Sequence, residues 1–194
     1  MGLIGSAAAL AFIVVFTVDG WLRPGYRPLY HPVSALALGP RGRLQTANFL
    51  VGGAGFVVGA AGLWADADLP WVAAAVAVVG LALAASGVWP MDPMRGYPPG
   101  TPSSTPARFS RAHRWHDNAG AILFLGLPAA AVVTAVTGPD GWLRWYSAAT
   151  ALATGLLFAR FGTAWEADDA RAGLWQRLAI VTGWTWLAVL FAAA

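Results

Sequence analysis

The 194-residue sequence predicts an all-α fold, a polytopic integral membrane bundle of six transmembrane helices in one domain over residues 1–194. Three observations predict it. Hydrophobic residues make up 58% of the chain and charged residues 11%, whereas soluble domains carry roughly a quarter charged residues. The mean hydropathy is +0.59. The apolar residues also gather into separate runs, most of them near the about 20 residues that cross a hydrocarbon core. In lipid the backbone must satisfy its own hydrogen bonds, so such runs are helices.

The first run covers 3–18, is short, and has no basic segment before it, so it reads as a retained helix rather than a cleaved signal. The second, 44–64, contains "VGGAGFVVGAAG", in which Gly55 and Gly59 form a GxxxG with Gly52 and Gly62 near the same face. Small residues at that spacing let helix backbones approach closely, and packing within the chain is preferred here to dimerisation. The third covers 70–89. The fourth, 119–136, contains Pro128, a candidate kink. The fifth covers 142–161 and the sixth 174–194. Trp64, Trp71, Trp89, Trp142, Trp145 and Trp175 fall near the run ends, where amphipathic rings anchor at the membrane interface.

Charge sets the topology. The loops after the first, third and fifth runs, with the adjoining helix ends, hold eleven arginines, and the other side holds only Arg144. The positive-inside rule then places the arginine-rich loops in the cytoplasm and both termini outside, in a multi-pass protein of the cell membrane. The net charge of +3 and pI near 10 are no sign of nucleic acid, because the arginines border apolar runs. The chain has no cysteine and no lysine. Disulfides, thiolate metal sites, cysteine nucleophiles and lysine Schiff bases are thereby excluded.

The polar chemistry concentrates in "GVWPMDPMRGYPPGTPSSTPARFSRAHRWHDNAG", residues 87–120, with six prolines, four arginines and two of the three histidines. The preceding arginine-rich loop supplies His31 and Ser34. All three histidines, His31, His113 and His116, therefore fall on one membrane face, with Asp19, Asp92 and Asp117. If the fourth helix begins near residue 112, His113 and His116 share a face. Three imidazoles and a carboxylate form a donor set suited to Zn2+. Metal-bound water would then attack an ester or amide, with Asp92 or Asp117 as base or as orienter of a histidine. A purely structural reading stands beside this one. Asp117 is placed to cap the fourth helix, Asp92 between prolines is a turn former, and the histidines are interfacial residues.

Arginine forks bind carboxylate and phosphate. Arg95, Arg111 and Arg114, with Arg23, Arg27 and Arg108, would make a rim for anionic amphiphiles, or serve only to set topology and attract anionic lipid. Arg177 is expected to pair with Asp19 or Glu166, and "WEADDARAG" to form a solvated turn.

Several of these segments resemble the bacterial membrane family catalogued as domain of unknown function 998. They are "HPVSALALGPRGRLQTANFLVGG", "GVWPMDPMRGYPPGTP", "HDNAG" and "GLWQR", in order along the chain. The resemblance implies a compact multi-helix membrane protein without a settled activity. It points to Ser34, Gly39, Gly87, Pro90, Asp92, Pro93, His116 and Arg177 and does not include His31 or His113. The residue types are also similar to those of membrane ceramidase-like hydrolases. Those have seven helices and paired histidines in the last, whereas the sixth run here has no histidine.

Three function classes follow. The first is a membrane enzyme acting on an amphiphile at the cytoplasmic interface, either a metal-assisted hydrolase or an acid-initiated isoprenoid cyclase using Asp92 in an aromatic cavity. The second is a non-catalytic lipid-binding or structural protein. The third is a transporter, disfavoured because mid-span charges are its usual mark and the cores of these runs hold almost none. The leading expectation is an interfacial site centred on Asp92, His116 and Ser34, with Asp117 as cap or base and Arg95, Arg111, Arg114 and Arg177 binding the ligand. Its partner is a membrane lipid or other amphiphilic small molecule.

Overall fold

In the computed structural model, which describes residues 1–194, the chain folds into α1 (Gly2–Leu22), a short 3-10 turn (Val33–Ala37), α2 (Gly42–Ala65), α3 (Pro70–Val88), α4 (Arg111–Thr137), α5 (Trp142–Glu166) and α6 (Ala172–Ala193), with no strand. Each helix packs on its neighbours in sequence and α6 closes back on α1. The result is a ring of six helices, each antiparallel to the next. Five are long and apolar enough to cross a membrane. The exception, α5, spans 25 residues and turns Ser147, Thr150 and Thr154 inward.

Polar groups fasten several joints of the ring. Ser6 Oγ donates to the Ala188 carbonyl at 2.8 Å, joining α1 to α6. Asn48 Nδ2 donates to the Phe12 carbonyl at 3.2 Å, and Trp186 Nε1 to Ser147 Oγ at 2.9 Å. Between these bonds the joints are steric. A Cβ on Gly53 would lie 2.5 Å from the Gly80 carbonyl oxygen, so α2 and α3 meet backbone to backbone. The GxxxG pair does pack within the chain: Gly55 faces Ala8 on α1 and Gly59 faces Phe191 on α6.

Of the six tryptophans near the run ends, Trp64, Trp71, Trp142 and Trp145 are more than half exposed, whereas Trp89 and Trp175 are less so. Trp184 and Trp186 instead fill the core. α4 starts at Arg111, well ahead of the apolar run. Its cap is Ser110, whose hydroxyl accepts the His113 N–H at 3.0 Å, and not Asp117, which lies in the second turn. The polar first turns escaped the hydropathy pattern because they rise beyond the apolar zone, where a helix no longer needs a greasy face.

The loops after α1, α3 and α5 meet at one end of the ring. The first amides of α6 donate to the loop after α1, Gly173 to Tyr30 at 3.1 Å and Leu174 to Leu29 at 2.9 Å. Loop carbonyls thereby satisfy amides that a helix start leaves free. Asp168 accepts the Tyr30 hydroxyl and pairs with Arg95 at 3.3 Å, while Asp169 pairs with Arg160 and accepts the Arg171 N–H. The acidic turn expected to be merely solvated is a knot between loops.

Candidate functional site

The same loops fold inward over the ring and close it. Three arginines hold them. Arg23, buried at the end of α1, pairs with Asp19 and donates to the Leu38 and Arg41 carbonyls and the Tyr97 hydroxyl. Arg95, in the left-handed conformation (φ 54°), donates to the Trp165 carbonyl at 2.7 Å and lies 3.6 Å from that ring's centroid. Arg177 donates to the His31 and Gly173 carbonyls, both at 3.0 Å, and to the Tyr26 hydroxyl. It pairs with neither Asp19 nor Glu166. Asp19 is held by Arg23 and by Arg41 at 2.9 Å. Burial, only partly opposed by the Arg177 cation, pushes the Tyr26 phenol up to about 12, so it stays a neutral hydroxyl.

Beneath the closed end lies a cavity of about 410 Å³ to which all six helices contribute. Its depth is aromatic: Phe12, Phe49, Phe124, Phe158, Phe161 and Trp184 line it. Polar groups sit under the loops: Ser34, His113, His116, Asp117 and Gln176. Among the lining residues, Thr105, Phe109, Asp117 and Ala121 are exposed, so the mouth opens beside the first turns of α4. Across it, Gly120 on α4 and Gly162 on α5 have nothing within 4 Å of where a Cβ would stand.

His116 is 9% exposed, and its Nδ1 lies 2.8 Å from the Trp89 carbonyl oxygen and 3.2 Å from that of Ser86. Carbonyls only accept, so the proton resides on Nδ1 and Nε2 keeps a lone pair. No protein group donates to Nε2. Gln176 Oε1 accepts the Val33 N–H at 2.7 Å, which leaves the side-chain NH₂ toward the cavity. The Ser34 hydroxyl has only the Met91 sulfur, at 3.3 Å.

His113 accepts the Asp92 N–H on Nδ1 at 2.9 Å, so its Nε2–H points at Asp117, 3.2 Å away. The Asp92 carboxylate accepts the Ser110 N–H at 2.7 Å and does not line the cavity. Burial raises the Asp92 pKa, but the Ser110 hydrogen bonds, with His113 and Arg114, outweigh that and hold it below the ordinary carboxylate range. The expected centre is thus divided: His116 and Ser34 face the cavity, Asp117 stands at its mouth, and Asp92 fastens the loop to α4. The arginine set divides as well. Arg95 and Arg177 are spent on the scaffold, whereas Arg111 and Arg114 are exposed beside Asp117 outside the mouth.

The histidines do not converge on a metal position. His31 Nδ1 accepts the Arg27 N–H at 2.9 Å and its Nε2–H donates to the Arg95 carbonyl at 3.1 Å, so both nitrogens are used. Burial pushes its pKa down, and the Arg27, Arg177 and Arg95 charges add to that, against the opposing bond to Arg95. No group of three or more His, Asp or Glu side chains is arranged to hold an ion. The three histidines are therefore not brought together as a zinc donor set.

Sequence reasoning missed Gln176, Gly120 and Gly162. Gln176 carried a faint signal, an uncharged polar residue in the first turns of an apolar run. The glycines carried none, since emptiness around a Cβ is a property of the packed ring.

The family whose description reads "Protein of unknown function (DUF998)" matches residues 6–193. No curated protein and no solved structure matches the chain. The chain belongs to the DUF998 family.

Proposed function

We propose that this integral membrane protein binds an amphiphilic small molecule, its apolar part in the aromatic cavity and its polar group under the loops. The observation that carries the reading is the polarity of the cavity, aromatic in depth and hydrogen-bonding at one end. Its size lies within the roughly 300–1,000 Å³ of ligand pockets, which are likewise mainly apolar with a few placed polar groups. The mouth supports membrane access. On the outer face of α4 the exposed residues change from Arg111, Arg114 and Asn118 to Ala121, Ile122 and Leu125, and the opening lies at that change. A lipid-soluble molecule at the bilayer interface meets it there. We place the arginine-rich end in the cytoplasm, because eleven of the twelve arginines lie at it.

Acid-initiated cyclisation has weaker support. Asp92 is outside the lining, and Asp117, the one carboxyl at the cavity, has a side chain 58% exposed and is paired with His113. A buried neutral acid is not assembled.

The test is Gly162→Trp, which puts a ring into the open space at the mouth. Lipids extracted from detergent-purified protein are quantified by mass spectrometry. A near-stoichiometric amphiphile in the parent, depleted in a variant of equal thermal stability, supports binding. Equal retention by both overturns it.

A further inference from the structure

Building on the amphiphile reading, we infer that the ligand carries an uncharged, hydroxyl-bearing head, as in a long-chain alcohol, and that His116 accepts its proton in a hydrogen bond. The polar atoms left open to the cavity are few. His116 Nε2 is an acceptor without a donor, its tautomer fixed by the Trp89 and Ser86 carbonyls. The Gln176 amide nitrogen is a donor without an acceptor, its orientation fixed by Val33. The Ser34 hydroxyl can serve in either role. A hydroxyl group both donates and accepts, so it suits an end of the cavity that offers an acceptor at His116 and a donor at Gln176.

Charge selects against the alternatives. No arginine lines the cavity, because Arg23, Arg95 and Arg177 are turned into the loops they hold. A carboxylate head would meet the His116 lone pair with no counter-charge, and an unpaired buried ion is far costlier than a neutral polar group. An ammonium head would find only Asp117, at the mouth and already paired with His113. The expectation of an anionic ligand rested on the arginines, and the fold has used the buried ones.

The experiment keeps one chain and varies the head. Radiolabelled oleyl alcohol is bound to the protein in lipid nanodiscs and displaced by unlabelled oleyl alcohol, oleate at pH 9 or oleylamine at pH 7. The inference expects saturable binding, with the alcohol competing about tenfold better than either ion, a factor equal to about 1.4 kcal/mol. His116→Phe should abolish that preference while leaving residual chain binding. Gly162→Trp should remove saturable binding of the labelled alcohol. Oleate or oleylamine competing as well as the alcohol, with Gly162→Trp still blocking, overturns the head assignment and leaves the cavity reading standing. Binding of the labelled alcohol that Gly162→Trp does not change overturns both, as does absence of saturable binding in the parent. The head comparison uses the parent protein alone, so it does not depend on His116→Phe folding.

Discussion

The backbone N–H of Asp92 donates to His113 Nδ1 at 2.9 Å, and eighteen residues on, the N–H of Ser110 donates to the Asp92 carboxylate at 2.7 Å. One residue thus binds the end of α3 to the start of α4 twice, and the intervening loop is held shut over the cavity. Asp92→Asn keeps the shape and removes the charge at Ser110. It should destabilise the protein by about 1–2 kcal/mol, toward the low end for a hydrogen bond to a charged group because the pair is partly exposed. Thermal unfolding in detergent measures this. Retained amphiphile binding in the folded variant separates a fastening role from a place in the cavity. Because the folded Asp92 pKa lies below its unfolded value, its contribution is complete above about pH 4 and is lost as pH falls through the folded pKa.

His31 gives the opposite kind of residue, buried and neutral with both nitrogens used. Its folded pKa lies below the unfolded value of about 6.5. The unfolded chain therefore binds the proton more readily. Its contribution to stability is whole above about pH 6.5 and declines as pH drops toward the folded pKa. Melting temperature should fall between pH 7 and pH 5, and less so in His31→Gln. An equal fall in both proteins would show that folding does not lower the His31 pKa.

Arg95 joins the loop after α3 to the end of α5 through a plane as well as a charge. Lysine keeps the charge and loses the flat fork that stacks on Trp165. Arg95→Lys should cost roughly 1–3 kcal/mol, the scale of a charged hydrogen bond with a ring contact. Faster proteolysis of the loop at residues 98–110 should accompany it. An unchanged melting temperature would contradict the clamp.

The two helix glycines Gly53 and Gly155 should respond in opposite directions. A Cβ on Gly53 would sit 2.5 Å from the Gly80 oxygen and 2.7 Å from the Ala84 nitrogen, so Gly53→Ala must push α2 and α3 apart and lower stability. Gly155 has nothing within 4 Å. Gly155→Ala should stabilise by about 0.5–1 kcal/mol through lost backbone freedom in the unfolded chain. Paired unfolding curves decide it.

Orientation is testable because the chain has no cysteine. In intact cells a membrane-impermeant maleimide should label an Asp66→Cys protein and spare a Ser103→Cys protein until the cells are opened. The reverse pattern would turn the arginine-rich end outward.

Composition and run length alone determined that this chain is a six-helix membrane bundle, since lipid leaves an apolar run little freedom except to become a helix. Arginine placement likewise determined that the loops after α1, α3 and α5 share an end. The same counting could not tell a free arginine from a spent one. Arg111 and Arg95 look alike in sequence, yet one is exposed and the other is buried against Trp165. It also could not separate Asp92 from His116 as candidates for the site, because which way each points depends on Ser110 and on the Trp89 and Ser86 carbonyls across a loop and a helix. Membership of an apolar run is a property of neighbours along the chain. The room left inside the ring, and the few atoms left unpaired around it, depend on contacts between residues far apart in sequence, and only the tertiary structure decides them.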